Sequence, residues 1–109
     1  MPLNTDKLRV NVKRLCARLD QLGQVGAIEG GGVCRLALSA EDGAGRDLVV
    51  RWMRELGLSV NIDAIGNVVG VRAGTEAGPP VMTGSHIDTV RTGGRFDGNL
   101  GVMAGLEVI

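Results

Sequence analysis

The spacing of apolar residues changes at Gly57, and that change most constrains the fold of this chain. Before Gly57 the apolar residues recur at steps of three and four, which is the period of an amphipathic helix. After it, Val60 and Ile62 alternate with Asn61 and Asp63, which is the period of a strand. Helical and strand patterns that follow each other in this way predict an α/β fold.

The first helical pattern predicts a helix that begins at Asn4 or Thr5 and ends near Gly23. Its apolar positions are Leu8, Val12, Leu15, Leu19 and Leu22. The glycine-rich residues 23–32 favour a surface loop, because glycine loses the most conformational freedom in regular structure. Residues 33–36 are predicted to be a short extended segment.

A second helix is predicted between Ser39 and Gly57. Ser39 and Asp42 have the spacing of a capping box, with Asp in place of the usual Glu or Gln. Gly57 is suited to the left-handed backbone that follows many helices. Trp52 and Met53 lie on the apolar face of this helix, so we expect both to pack in the core.

Three strands are predicted after this helix. Residues 60–62 alternate between apolar and polar positions, and residues 67–72, which follow a turn at Gly66, are predicted to be their antiparallel partner. A polar loop at residues 75–79 follows. Residues 81–85 are apolar on both faces, which is typical of an interior strand in a covered sheet.

A last helix is predicted from Asp97 to Ile109. Glycines recur in it at Gly98, Gly101 and Gly105, and favour close packing of this helix on the sheet. The pattern is still apolar at Ile109, without a helix stop signal, so we expect the domain to continue beyond this residue.

Composition indicates a single small domain and excludes several classes of protein. The 109 residues carry 12 basic and 12 acidic side chains, without a basic stripe, so nucleic acid is not an expected partner. The aromatic residues are only Trp52 and Phe96. Cys16 and Cys34 form no metal or disulfide pattern and are expected to be free thiols. Neither a signal peptide nor a run of membrane length is present, so we expect no membrane partner and a cytoplasmic protein.

The only histidine lies close in sequence to two carboxylates. His86 follows the apolar residues 80–83, Asp88 comes two residues later, and Asp97 lies across a loop that contains Gly93 and Gly94. An imidazole nitrogen and ionised carboxylates are ligands for divalent cations, and strand ends in α/β sheets are common sites for them. Asp88 could orient His86 by accepting a hydrogen bond from the ring nitrogen that does not bind metal.

Each of these residues also has a structural interpretation. A lone histidine beside a strand is usually a partly buried polar residue with a hydrogen-bond partner. Asp97 could be the N-cap of the last helix, a role that is compatible with bridging two cations. Arg91 and Arg95 are expected to be cations of the loop surface rather than substrate ligands. One histidine and two aspartates do not complete a hydrolytic site, so further ligands are expected outside the chain.

The motif GSHIDTV, followed by GGRFDG, resembles the first metal-binding segment of the di-metal aminoacylase and carboxypeptidase-type hydrolases. The similarity is greatest to the branch of N-carbamoyl-L-amino-acid hydrolases and allantoate amidohydrolases. The preceding stretch RLALSAEDGAGRDLVVRWMRELGLSVNIDAIGNVVG also resembles that branch. Cys34 stands where a threonine or a similar small residue would be expected.

The resemblance implies a three-layer α/β/α catalytic domain with a mixed sheet. Residues 1–109 would be its N-terminal portion, truncated at the C-terminus and without the lid and dimerisation domain. His86 would bind one metal ion, Asp97 would bridge two, and Asp88 would support His86.

The implied function of the complete protein is hydrolysis of a C–N bond in a small carbamoyl or ureido substrate. The implied cofactors are two divalent ions (Zn, Mn, Co or Ni), and the implied assembly is a homodimer. The alternatives are an aminopeptidase or carboxypeptidase of the same superfamily, or a small non-catalytic α/β domain.

Overall fold

The computed structural model describes residues 4–109, which form three helices and one two-stranded sheet. In chain order these are α1 (Val12–Gln24), α2 (Ala40–Glu55), β1 (Ser59–Ile62), β2 (Val68–Val71) and α3 (Asn99–Val108). The α/β class predicted from the sequence is confirmed. None of the helices within residues 4–109 is long and apolar enough to cross a membrane.

Helix α1 begins later than predicted. Its N-cap is Asn11, whose side-chain oxygen accepts a hydrogen bond from the backbone N–H of Arg14 at 3.0 Å. Asn4 instead accepts from the backbone N–H of Asp6 in a local turn. Leu8 is 70% exposed and has no core to pack against, so the apolar pattern does not extend the helix to this residue. The predicted start at Asn4 or Thr5 is therefore wrong.

Helix α2 has both predicted ends. The Ser39 hydroxyl accepts from the backbone N–H of Asp42, and the Asp42 carboxylate accepts from the backbone N–H of Leu38 at 2.8 Å. Gly57 has φ 81°, and the N–H groups of Gly57 and Leu58 close the C-terminus on the last free carbonyls. This pairing is a Schellman motif, in which a left-handed glycine satisfies the helix end.

Strands β1 and β2 form the predicted antiparallel hairpin, with Ser59 opposite Val71 and Ile62 opposite Val68. The turn between them is organised by Asp63. Its carboxylate accepts hydrogen bonds from the side chain and backbone of Asn67, and these bonds lower the pKa of Asp63 below its ordinary range.

The interior strand predicted for residues 81–85 is not formed within residues 4–109. Strands β1 and β2 pair only with each other there, and Val81 is fully exposed. The segment is instead covered on one side by α3. A Cβ atom on Gly101 would lie 2.8 Å from Cβ of Ser85, and one on Gly105 would lie 3.1 Å from Cγ2 of Thr83. The glycines therefore allow α3 to pack closely, but on this extended segment rather than on a sheet as predicted.

The core lies between the three helices. Its buried members are Leu19, Leu22, Val49, Trp52, Met103 and Leu106. Met53 packs against this cluster, so both predicted core residues of α2 are confirmed. The Arg18 guanidinium lies 5.8 Å from the centre of the Trp52 ring, within the range of a cation–π contact. Cys16 and Cys34 are free thiols, as predicted.

Candidate metal centre

The imidazole of His86 is oriented by Asp88. Its Nδ1 atom lies 3.0 Å from the backbone carbonyl oxygen of Asp88 and 3.3 Å from the carboxylate Oδ1. Both oxygens are acceptors, so the geometry favours a proton on Nδ1. The other ring nitrogen, Nε2, then carries the lone pair that a divalent cation needs. Both side chains are about half exposed.

The backbone at Gly98 lies directly against this imidazole. A Cβ atom at Gly98 would lie 2.5 Å from Nδ1 of His86, which is closer than side-chain carbon atoms approach. Gly98 also has φ 72°, a conformation that side chains other than glycine rarely adopt. The close approach to His86 and the positive φ therefore both require glycine at position 98. Because Gly98 follows Asp97, the backbone next to Asp97 lies against the ring of His86.

Asp97 is exposed and does not have the structural role predicted for it. Helix α3 begins at Asn99 with Gly98 as its N-cap, and no side-chain hydrogen bond caps it. The prediction that Asp97 is the N-cap is therefore wrong. The positive φ of Gly98 turns the chain into the helix one residue later than an aspartate cap would.

The residues present fit part of a metal centre. His86 offers an oriented imidazole, and Asp97 offers an exposed carboxylate on the neighbouring stretch. Within residues 4–109, however, no group of three or more histidine, cysteine, aspartate or glutamate side chains is placed to hold an ion.

The loop between the two segments is pinned to the rest of the fold. Val33 and Gly93 exchange two backbone hydrogen bonds of 2.9 Å. A Cβ atom on Gly93 would lie 2.7 Å from Cβ of Thr89, so this glycine is needed for close approach. Arg95 pairs with Asp20 of α1 at 3.1 Å, which is consistent with the predicted role of Arg95 as a loop cation.

A buried arginine, which the sequence analysis missed, connects these segments. Arg35 is fully buried, and its guanidinium donates four hydrogen bonds. Nη1 donates to the carbonyl oxygens of Leu22 at 2.9 Å and Val25 at 2.5 Å, at the end of α1. Nε donates to the carbonyl oxygen of Ile87 at 2.8 Å, and Nη2 donates to Oδ1 of Asn99 at 3.2 Å.

The backbone of Arg35 contacts the same region. Its N–H donates to Oγ1 of Thr89 at 2.8 Å, and its carbonyl oxygen accepts from the N–H of Thr89 at 2.7 Å. Burial lowers the pKa of the Arg35 guanidinium, and the charges of Asp42 and Asp88 act in the opposite direction. The C-terminal carbonyls of α1 also favour a cation at this position.

A cavity of about 370 Å³ opens beside His86 and Asp88. Helix α2 and the turn between β1 and β2 form its other walls, with Asp42, Arg46 and Asn67 among the polar lining residues. A larger depression of about 570 Å³ lies along α2 over residues 47–55 and does not include His86. Its lining is mostly charged helix surface, so the smaller cavity is the one associated with the candidate centre.

Comparisons with known proteins show what the chain is similar to. No family model matches the chain. The N-carbamoyl-L-amino-acid amidohydrolase of Pseudomonas sp. (strain NS671) is 50% identical to it over 101 residues, which are 92% of the chain and 24% of that protein. The allantoate amidohydrolase of Bacillus subtilis is 39% identical over 103 residues, which are 93% of the chain and 25% of that protein.

A solved structure also matches most of the chain. The crystal structure of a hydantoinase/carbamoylase family amidase from Burkholderia ambifaria matches with a TM-score of 0.91 and 48% identity, over 94% of the chain and 26% of that structure. Over the part that it spans, the chain is similar to amidases of the hydantoinase/carbamoylase family. It spans about a quarter of the length of the relatives it matches.

Proposed function

We propose that the protein containing this chain is a metal-dependent amidohydrolase that cleaves a C–N bond in a small carbamoyl or ureido compound. N-Carbamoyl-L-amino acids and allantoate are the first substrates to test, because two similar relatives are named for them. Residues 1–109 would be the N-terminal portion of its catalytic domain, a three-layer α/β/α domain with a mixed sheet.

The observation that carries the proposal is the orientation of His86. Asp88 engages Nδ1 with two oxygens, and Gly98 leaves room for the ring. The hydrogen bonds of His86 described here involve Nδ1, which leaves Nε2 able to bind an ion. The donor set of one imidazole and carboxylates suits Zn, Mn, Co or Ni.

Each residue has a distinct role in this proposal. His86 would hold one divalent ion, and the carboxylate of Asp97 would be shared by two. Asp88 would keep the His86 ring in place and fix its proton on Nδ1. When bound, a pair of divalent ions polarises the substrate carbonyl and makes a water acidic enough to react near neutral pH. The general base and the remaining ligands would come from outside residues 1–109.

The oligomeric state and the location predicted from the sequence belong to the same proposal. We expect a homodimer whose lid and dimerisation domain lies outside this chain. The free thiols of Cys16 and Cys34 support the predicted cytoplasmic location, where disulfides are rare. An aminopeptidase or carboxypeptidase would share the metal centre and would differ in its substrate.

Metal content and turnover of an Asp97→Asn variant test this function. If Asp97 bridges two ions, the change removes a negative charge from between them, so at least one ion should be lost and activity should fall by orders of magnitude. Asp47→Asn, an exposed position on α2, is the matched control and should keep both ions and full activity. An Asp97→Asn protein with two ions and wild-type turnover would contradict the proposal.

Substrate assays separate the alternatives. Turnover of N-carbamoyl amino acids or allantoate, with none of dipeptides, supports the amidohydrolase. The reverse selectivity supports a peptidase. A wild-type protein that turns over neither kind of substrate and contains no divalent ion would favour a non-catalytic domain.

A further inference from the structure

Arg35 contacts both stretches that contain candidate metal ligands, the one from His86 to Asp88 and the one around Asp97. Its Nε bonds the carbonyl oxygen of Ile87, which lies between His86 and Asp88 in sequence. Its Nη2 bonds the side chain of Asn99, two residues after Asp97. One planar guanidinium therefore touches the backbone of the first stretch and the start of the helix that follows the second.

The anchor of this guanidinium is rigid. Nη1 is fixed on two carbonyl oxygens at the end of α1, and the side chain is fully buried. Gly45 of α2 lies so close that a Cβ atom there would be 2.9 Å from Cδ of Arg35. The aliphatic part of the Arg35 side chain therefore packs against α2, while its guanidinium is held by α1.

The geometry of the fork is specific to arginine. Its donors point in fixed directions within one plane, whereas a lysine ammonium is a single compact group on a flexible stem. Lysine at this position would keep a positive charge for the α1 carbonyls. It could not bond Leu22, Ile87 and Asn99 from three separate nitrogens, so the two stretches would lose their common support.

Asn99 completes the connection. It is fully buried, and its Nδ2 donates to the carbonyl oxygen of Arg95 at 3.2 Å while its Oδ1 accepts from Arg35. The amide of Asn99 thus holds the loop before Asp97 and the guanidinium of Arg35 at the same time. Both of its polar atoms are used, so neither can be replaced by an apolar group without loss.

We propose that Arg35 is a positioning residue, which sets the His86–Asp88 stretch and the Asp97–Gly98 stretch at the separation that metal binding requires. This inference rests on the proposed function, because it concerns the same centre. Arg35 does not touch the metal or the substrate in this role. It acts through the backbone of Ile87 and the side chain of Asn99.

The test compares Arg35→Lys with wild type in the protein that contains this chain. We expect the dissociation constant for Zn or Mn to rise on the order of 10- to 100-fold, the usual effect of losing support behind a metal ligand. Excess metal should restore most of the turnover number, because the ligands themselves are unchanged. In the metal-free protein, amide hydrogen exchange of residues 84–99 should accelerate while the β1–β2 hairpin stays unchanged.

Arg14→Lys is the matched control. Arg14 also joins two helices by a forked contact, to Glu107 of α3, but bonds nothing near His86. It should lower thermal stability without changing metal affinity. If Arg35→Lys behaves in the same way, with lower stability and wild-type metal affinity, the positioning role is overturned.

A second variant covers the case in which Arg35→Lys does not fold. Asn99→Ser removes the bonds of Asn99 to Arg35 and to the Arg95 carbonyl but leaves the other three bonds of the guanidinium, so it should weaken metal binding less than Arg35→Lys, with the same recovery in excess metal. Wild-type affinity in a folded Asn99→Ser protein would overturn the inference. A wild-type protein that binds no divalent ion would instead overturn the proposed function, so the two failures are seen in different samples.

Discussion

At position 98 only a hydrogen atom separates the backbone from the imidazole of His86. Gly98→Ala would force a Cβ atom against Nδ1 and would also strain a backbone with φ 72°. We expect a loss of about 1 kcal/mol or more of stability from the backbone alone, together with weaker metal binding from the displaced ring.

Gly94→Ala is the control for this change. Position 94 has no atom within 4 Å of a Cβ and no positive φ, so alanine should leave stability and metal affinity near wild type. Urea unfolding and a metal titration of both variants measure the difference. Equal behaviour of the two alanine variants would contradict the close contact at Gly98.

Asp88 offers His86 two acceptors of different kinds, so its substitution should be mild. In Asp88→Asn the backbone carbonyl, 3.0 Å from Nδ1, is unchanged, and only the carboxylate contact at 3.3 Å loses its charge. We expect activity to fall by about 10- to 100-fold with both metal ions retained. Loss of an ion in Asp88→Asn would instead indicate that Asp88 is itself a ligand.

The candidate side chains of the proposed centre could be selected from the sequence, but the contacts that support them could not. His86, Asp88 and Gly98 stand out because their residue types carry the chemistry or the space. Arg35 does not, since three of its four acceptors are backbone carbonyl oxygens, which no pattern of side chains reveals. A lone arginine between a glycine-rich loop and a helix is indistinguishable from a surface cation until the fold buries it.

At the scale of elements, local signals set boundaries correctly where the residues that form them are close in sequence. Ser39 and Gly57 define α2 as predicted, because a cap involves only a few neighbouring residues. The start of α1 was misplaced because Asn4 and Asn11 are equally good caps. A strand at residues 81–85 would need another strand to pair with, and a local pattern does not specify whether one is available.

Helices α1 and α3 are joined by a carboxylate whose ionisation should affect stability. Glu107 accepts from Arg14 at 2.7 and 2.8 Å and from Arg18 at 3.1 Å, and its side chain is inaccessible to solvent. The hydrogen bonds from Arg14 lower the pKa of Glu107 below its ordinary value of 4.5. The stabilising contribution is therefore fully present above that value and is lost as the pH falls through the lowered pKa.

Glu107→Gln should consequently be less stable than wild type at pH 7, and the difference should shrink at acid pH. Urea unfolding midpoints measured from pH 7 down to pH 3 test this. Glu76→Gln, in an exposed loop, is the control and should follow wild type throughout. A Glu107→Gln deficit that stays constant with pH would mean that packing, rather than charge, joins the two helices.

At the scale of the molecule, the chain spans about a quarter of its relatives and exposes several large apolar side chains. Val81 and Met82 are 103% and 78% exposed, and Phe96 is 62% exposed. Val81 and Met82 are adjacent in sequence, and exposed apolar side chains that form a patch favour association. The isolated 109-residue chain should therefore aggregate or pack loosely, and a sharp, cooperative melt of a monomer would contradict this.

The isolated chain should also be catalytically inert. His86 and Asp97 are two candidate ligands with Asp88 behind them, and within residues 4–109 no third side chain joins them to hold an ion. Two ligands cannot fix the geometry of a divalent ion or of a water that it would activate. The purified chain with added Mn or Zn should bind the ion weakly and give no turnover of N-carbamoyl amino acids or allantoate above the metal-only blank. The longer protein that contains it serves as the positive control. Turnover by the 109 residues alone, abolished by Asp97→Asn, would mean that this segment carries a complete centre.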